Sequence, residues 1–507
     1  MTGDAFIFGL RAAGGSGLFH AGGGSICSSA AHICGAYMSY QLTYYDASSI
    51  FMQTFLFNCL SNFSITHKNF YHFWTKALKL SVQVDFECSS CYTNHRHILY
   101  INTKRGVPLR DLKHLLFFEN LLRQANNELV QQACAEGRHA IAYNCSYIPE
   151  VLLDVEGCFG IRLRAPGCTN PDLATYYMTN RSCPYSKSIL ERAFEGGYNF
   201  IDALMGQECC TTMNRMEQYF GYCKLIPKEK FFTSFIDMPL KKTEWHAGYY
   251  RRQIEKKIIE PLGRVYGVDF SEEKLRAAID MHNEVCRIIT ELGNFRKLDD
   301  PPITGYEFHV IQLVTLTCPK DLILPYLRET LEEVRTREPE GKPFYRARVM
   351  VVGSEIDDPD FTKLLEGCGA FVVADRYCFG SIPGREEISV KPGEDALEAI
   401  ANAYIYSNQC PRAMGAENIV ARKKYLYKLA KEYRADGIIL ENMKFCEYWG
   451  YERAQAAQWL TEGFEVPETY PVCQIEKDYT NAATGQLRTR FQAFVESLEI
   501  KRIQAGK

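Results

Sequence analysis

Short apolar runs alternating with amphipathic stretches restrict this chain more than any other feature of its sequence. Arg348-Val-Met-Val-Val-Gly353 is a buried-strand run ending in a glycine. A helical stretch (361–366) follows, then a strand-like run (370–373) ending at Asp375, and later two more short apolar runs (437–440 and 472–475) separated by helical sequence. Upstream, 139–143, 160–163 and 203–206 read as strands. Residues 109–137 read as one helix stopped by Gly137, and 189–195 as a helix closed by Gly196-Gly197. Residues 244–297 are charged and periodic (Tyr249, Ile254, Ile258, Leu262, then Leu275, Ile279, Val285, Ile288), as long helices are. Strands alternating with helices predict an α/β fold with parallel sheets, whose ligands lie beyond the carboxyl ends of the strands. The Pro- and Gly-containing segment 338–343 marks a boundary. Four parts are expected: an atypical, poorly ordered extension at 1–105, a first α/β domain at 106–243, a helical segment at 244–343, and a second α/β domain at 344–507.

The extension stands apart by composition. Its first hundred residues carry nine charged side chains, yet hold five of the twenty cysteines and six of the eleven histidines. The Gly-rich run 12–25 lacks the GxGxxG spacing of a phosphate loop. Cys88-x-x-Cys91 is followed by His95 and His97, which are too close together for ordinary zinc spacing.

Twenty cysteines in 507 residues is a heavy load, but a chain of this length that is 46% apolar buries a core without disulfide staples. The cysteines therefore point to metal or redox chemistry in a reducing, cytoplasmic setting. Met1–Arg11 has no basic region ahead of its apolar residues, so no signal peptide is expected. The most apolar stretch, 50–60, is interrupted by Gln53 and Asn58 and falls short of the roughly 20 residues of a spanning helix. A net charge of −3 and the lack of a basic block with aromatics argue against nucleic acid.

Cys145, Cys183 and Cys446 each lie where an apolar run gives way to polar, Pro- or Gly-containing sequence, the mouth of a strand. Three thiolates from distant strand ends can hold an iron–sulfur cubane and leave one iron open. Cys209-Cys210, after the 203–206 strand, is a further candidate. Cys134, Cys158, Cys223, Cys286, Cys318, Cys368 and Cys473 sit in periodic or apolar contexts and read as small buried hydrophobes. No CxxC…CxxC signature is present, so spacing alone leaves the ligand set open.

From about Leu109 to Leu498 the sequence resembles the 2-hydroxyacyl-CoA dehydratase and benzoyl-CoA reductase family of iron–sulfur subunits. The resemblance lies in Cys-Ser-Tyr-Ile-Pro-Glu (145–150), Asn-Arg-Ser-Cys-Pro (180–184), Arg-Val-Met-Val-Val-Gly-Ser (348–354), Asp-Arg-Tyr-Cys-Phe-Gly (375–380), Met-Lys-Phe-Cys-Glu (443–447) and the terminal 476–496 string. It implies two Rossmann-like parallel-sheet domains with a helical segment between them and a 4Fe–4S cluster in the interdomain cleft. The implied ligands are Cys145, Cys183 and Cys446. Cys210 is in reserve, since Thr211 follows it where family members often have Asp. The implied reaction removes water from an (R)-2-hydroxyacyl-CoA to give the 2-enoyl-CoA, through a ketyl radical that one added electron creates. The implied partners are a homologous second subunit, a separate ATP-hydrolysing iron–sulfur activator and the acyl-CoA substrate.

Glu150, five residues after Cys145, is the catalytic candidate, able to move a proton if it lines the cleft; an N-cap or surface carboxylate is the alternative. Arg162 and Arg164 alternate on a strand and read first as solvated edge arginines, second as contacts for CoA phosphates. A benzoyl-CoA-reductase-like subunit, a non-catalytic electron-relay partner and a zinc-stabilised structural protein are the competing assignments.

Overall fold

The computed structural model describes residues 111–208, 210–338, 345–381, 385–463, 468–480, 484–504 and 506. The 1–105 extension with Cys88, Cys91, His95 and His97, the residue Cys209 and residues 339–343 of the expected boundary lie outside them. The described residues belong to one unit, Thr103–Lys507.

Two four-stranded sheets, parallel throughout, organise this unit. The first holds β1 (His139–Tyr143), β2 (Cys158–Arg162), β3 (Ala203–Gln207) and β4 (Phe232–Ile236) in the order β2-β1-β3-β4. The second holds β5 (Ala347–Gly353), β6 (Ala370–Tyr377), β7 (Gly437–Met443) and β8 (Val472–Lys477) in the order β6-β5-β7-β8. The two orders are the same, so each half is a Rossmann-like sheet with its switch point between its first and third strands. β1, β2, β3, β5, β6 and β7 are buried along their whole length apart from His139, as parallel strands covered on both faces must be. β4 and β8 form the exposed edges.

β2 and β6, at the opposite edges, are covered by one helix, Gly305–Thr317, which packs against both. It is buried on nearly every side, and its few polar side chains are paired inside, Gln312 with Asp375 and His309 with Thr362. A capping box starts it: Thr304 Oγ1 accepts from the Glu307 N–H at 3.0 Å, and the Glu307 carboxylate accepts from the Thr304 N–H at 2.8 Å. Gly305 is required there, because a Cβ would lie 2.9 Å from the Val372 carbonyl oxygen. The largest core cluster runs without a break from Leu112 through Leu204, Leu313 and Val349 to Leu498, so both halves share it.

Several expected elements differ in extent. The 109–137 helix is two helices, Leu115–Leu121 and Glu128–Ala135, because Asn127 Oδ1 caps the second by accepting from the Val130 N–H. The 244–297 stretch divides into Glu244–Ile254, a π-turn at Glu255–Ile259, Glu260–Tyr266 and Glu272–Asn294, with Gly267 at φ 70° turning the chain between the last two. Among the described residues no helix is long and apolar enough to cross a membrane.

Candidate functional site

Four cysteines lie just beyond the carboxyl ends of strands and two more in the crossovers, three of the six from each half. Cys145 is two residues past β1, Cys210 three past β3, Cys378 one past β6 and Cys446 three past β7. Cys183 and Cys410 lie in the crossovers from β2 to β3 and from β6 to β7. Cys183, Cys210 and Cys446 are each the N-cap of the helix that follows, namely Pro184–Phe194, Thr211–Tyr222 and Glu447–Glu462. A helix N-terminus favours a thiolate over a thiol. Cys446 is presented by Phe445, a bulky residue held at φ 62°, an uncommon backbone state that tends to mark functional positions.

The six sort into two sets. Burial pushes the Cys446 thiol well up, and the charges at Cys183, Cys210 and Glu355 push it further, against a backbone N–H of Trp449. Burial raises Cys183 to about 12, with the Ser186 and Tyr185 N–H groups pulling down and Cys210 pushing up. These three also pack into the same core cluster. Cys145 and Cys410 pack into a different one. Burial lifts Cys410 to about 11, helped by Cys145 and opposed by Arg412 and Arg422. Cys378 rises well above its ordinary value through burial, then Glu355, Cys410 and Cys145, with Arg162 opposing. The electrostatic couplings thus link Cys183, Cys210 and Cys446 as a first set and Cys145, Cys378 and Cys410 as a second, while Cys378 and Cys446 also pack against one further core cluster. Each takes thiols from both halves of the fold.

Surroundings distinguish the sets. Beside Cys210 a surface pocket of about 520 Å³ opens, lined by Glu208, Thr211, Asn214, Arg215 and Gln218. The second set is enclosed by cations. Arg376, Arg412 and Arg422 are buried around it, with Glu452 pairing Arg376 at 3.0 Å and Arg422 at 3.2 Å. Nε and Nη1 of Arg376 and of Arg412, and Nδ2 of Asn408, are enclosed donors without an acceptor. Donors left over around three thiols match an anionic guest such as a thiolate-held cluster. Among the described residues no three His, Cys, Asp or Glu side chains close on one point as the ligands of a single ion do. A cubane is wider than an ion and asks for sulfurs set further apart.

Glu150 opens the 3-10 helix Glu150–Leu153 and is buried, not a surface carboxylate. It accepts from the Tyr143 hydroxyl and lies 3.4 Å from Lys320 Nζ and 3.8 Å from His282 Nδ1. Burial would raise its carboxyl, but Lys320, His282 and Tyr143 together hold it below the ordinary range. Lys320 also bonds Asp154 at 2.5 Å, so one buried cation grips both ends of that 3-10 helix.

Arg162 and Arg164 correct the expectation of solvated edge residues. Both are buried. Arg162 donates to the Cys378 carbonyl at 2.6 Å and lies 4.0 Å over the Phe379 ring, and Arg164 donates to the carbonyls of Asp357 and Leu122. Arg162 ends an edge strand and Arg164 lies two residues beyond it, but helix Gly305–Thr317 covers that edge.

Three groups were missed by sequence reasoning. Cys378 and Cys410 carry the same marks as the cysteines singled out from sequence: Cys410 precedes a proline, as Cys183 does, and Cys378 precedes Phe-Gly. Glu355 carries no local mark. Burial lifts its carboxyl to about 8 against the pull of Arg162, whose Nη2 stands 3.6 Å away.

The family model of the 2-hydroxyglutaryl-CoA dehydratase D-component matches residues 145–498, which contain all six cysteines. The (R)-phenyllactyl-CoA dehydratase beta subunit of Clostridium sporogenes is 25% identical over 75% of this chain and 97% of its own length. The beta subunit of (R)-2-hydroxyglutaryl-CoA dehydratase from Acidaminococcus fermentans is 22% identical over 72% of this chain and 93% of its own. One of the benzoyl-CoA reductase subunits of Thauera aromatica is 20% identical over 64% of this chain and 83% of its own.

Proposed function

The chain belongs to the 2-hydroxyglutaryl-CoA dehydratase D-component family, and on that premise we propose that it is an iron–sulfur subunit of a cytoplasmic 2-hydroxyacyl-CoA dehydratase. The enzyme removes water from an (R)-2-hydroxyacyl-CoA to give a 2-enoyl-CoA through a ketyl radical. It works with a homologous second subunit and a separate ATP-hydrolysing activator. The observation that carries the reading is that six thiols from both halves of the fold, electrostatically linked in two groups of three, fall within the matched residues.

Cys183, Cys210 and Cys446 hold one 4Fe–4S group, and Cys145, Cys378 and Cys410 a second. Cys183, Cys446 and Cys145 thus all stay ligands, with Cys145 in a set of its own. Such groups supply one-electron chemistry at low potential and a Lewis-acidic position. The chain's own residues do the rest. The pocket beside Cys210 gives a substrate oxygen a way to the first set. The apolar core behind both sets excludes water from a reactive radical. Glu150, gripped by Lys320 and Tyr143, is a positioning residue for the segment that carries Cys145.

The beta-subunit relatives favour one further reading, an electron-relay partner whose substrate binds on the other subunit. The reductase relative favours another, in which the electrons stay in the product.

Anaerobic purification tests the whole. The protein is expected to be brown and to carry about eight irons, four per thiol set. Ser substitutions at Cys183, Cys210 or Cys446 are expected to remove about half of them. Co-expressed with a second subunit and activator, it should dehydrate a 2-hydroxyacyl-CoA with far less ATP used than product formed. Strict proportion between ATP and product would favour the reductase reading, and a colourless protein would end all three.

A further inference from the structure

Glu217 is a buried carboxyl that the chain gives no cation. It lies on helix Thr211–Tyr222, whose N-cap is Cys210, and is fully enclosed. The helix capped by Cys446 carries a buried carboxyl at nearly the same distance from its cap, Glu452. Burial would raise Glu452, but Arg376 and Arg422 hold it below the ordinary range. Among the described residues Glu217 forms no ion pair. An ionised carboxylate left alone in such an enclosure is among the costliest groups a fold can bury.

One neighbour answers it. Asn144, also fully buried, stands between the end of β1 and Cys145, and its Nδ2–H donates to Glu217 Oε1. The bond leaves two enclosed atoms unsatisfied, Asn144 Oδ1 and Glu217 Oε2. Both are acceptors, one on each partner of the same hydrogen bond. A single proton serves both: on Oε2 it makes a donor, and the amide oxygen is the acceptor in want of one. Reversing the amide leads to the same need, because Oδ1 would then face Oε1 and only a proton could join them. Gly206, in β3, leaves room for the carboxyl, since a Cβ there would overlap it and stand 2.7 Å from Oε1.

We propose that Glu217 is held as the neutral acid and closes a two-bond ring with Asn144, Nδ2–H to Oε1 and Oε2–H to Oδ1. Forming the ring takes one proton from solvent, and ionisation returns that proton and opens the second bond. Glu217 is thereby a positioning residue. It fastens the helix that Cys210 caps to the strand end that leads into Cys145, and adds no negative charge at the thiol edge. Burial pushes its carboxyl well above the ordinary 4.5, with Asn144 and the Gln207 N–H pulling down and Cys145 and Glu208 pushing further up. The ring forms whatever the thiols hold.

The test compares the full chain, purified without oxygen, with Glu217→Gln, Glu217→Ala and Asn144→Ala. Gln rebuilds the ring with an N–H in place of the acid O–H and cannot ionise. At neutral pH the parent should show a protonated-carboxyl stretch in the infrared that Glu217→Gln lacks. The folded parent keeps a proton that the unfolded chain gives up above about pH 4.5, so this stability is full below that value and falls as pH rises. The unfolding constant of the parent, relative to that of Glu217→Gln, should therefore climb about tenfold per pH unit between about pH 5 and 7. Glu217→Ala, which loses both bonds, should unfold more readily than Glu217→Gln. A ratio that stays flat over that range, an infrared stretch retained in Glu217→Gln, or equal stability of the two Glu217 variants overturns the inference. Asn144→Ala covers the case in which Glu217→Gln does not fold: without its acceptor the stretch should move to higher frequency, and an unmoved band overturns the ring.

Discussion

Lys320 is a lysine that physics disfavours twice, once by burial and once by its place at the start of a helix, where the dipole already supplies positive charge. Glu150 and Asp154 are what keep it there. Replacing it by Met strands two buried carboxylates, and loss of one partner of a buried pair costs about 3–5 kcal/mol. The denaturation midpoint of Lys320→Met should fall accordingly, with Lys320→Arg recovering part of the loss. His309 gives a second expectation. Enclosed between Thr362 Oγ1 at 2.8 Å and the Ile356 carbonyl at 3.2 Å, it is lowered by burial from 6.5 to about 4. The unfolded chain then binds the extra proton between those values. Stability is therefore full above about pH 6.5 and declines by about 3 kcal/mol as pH falls to about 4. His309→Gln should flatten that limb in denaturation measured across pH. At this scale the sequence was only partly readable. Cys145, Cys183 and Cys446 announce themselves by the turn residues beside them, whereas Glu355, Glu150 and Arg162 owe their roles to partners hundreds of residues or a whole sheet away.

Helices and strands were more legible, because period and punctuation are local. The strand cores of β1, β3, β5 and β7 are continuous apolar runs, and a run buried on both faces has little else it can be. Misreadings came where a cap interrupted a pattern without disturbing its apolar spacing. Asn127 breaks a run of helical periodicity by offering its own oxygen to the Val130 N–H, and the Asn-Asn-Glu signal was there to be read that way. β4 went unread since Phe-Thr-Ser-Phe-Ile is half-exposed and short. Helix Gly305–Thr317 has its first turn fixed by its capping box. Thr304→Ala should cost about 1 kcal/mol, visible as a lower denaturation midpoint, with Thr304→Ser close to the parent.

Over the molecule, the match to the family begins at residue 145 and the described unit at Thr103. A chain of residues 106–507 is therefore expected to fold and keep the iron content of the parent, and a colourless or aggregated product would show the extension to be needed. Alternation of elements was enough to read two parallel sheets from sequence. It was not enough to read their common strand order or the pairing of thiols across halves, which arise only when the chain closes on itself. The arginines at the end of β2 give that closure a kinetic meaning. Arg162 and Arg164 reach from one half to backbone carbonyls of the other, at Cys378 and Asp357. Swinging the halves apart would strip buried guanidiniums of these acceptors, and each hydrogen bond from a charged group is worth about 1.5–3 kcal/mol. A molecule stitched in this way does not breathe like a clamshell around its guests. Small molecules have to arrive through a standing aperture, so their rate of entry should follow concentration without a slow gating phase.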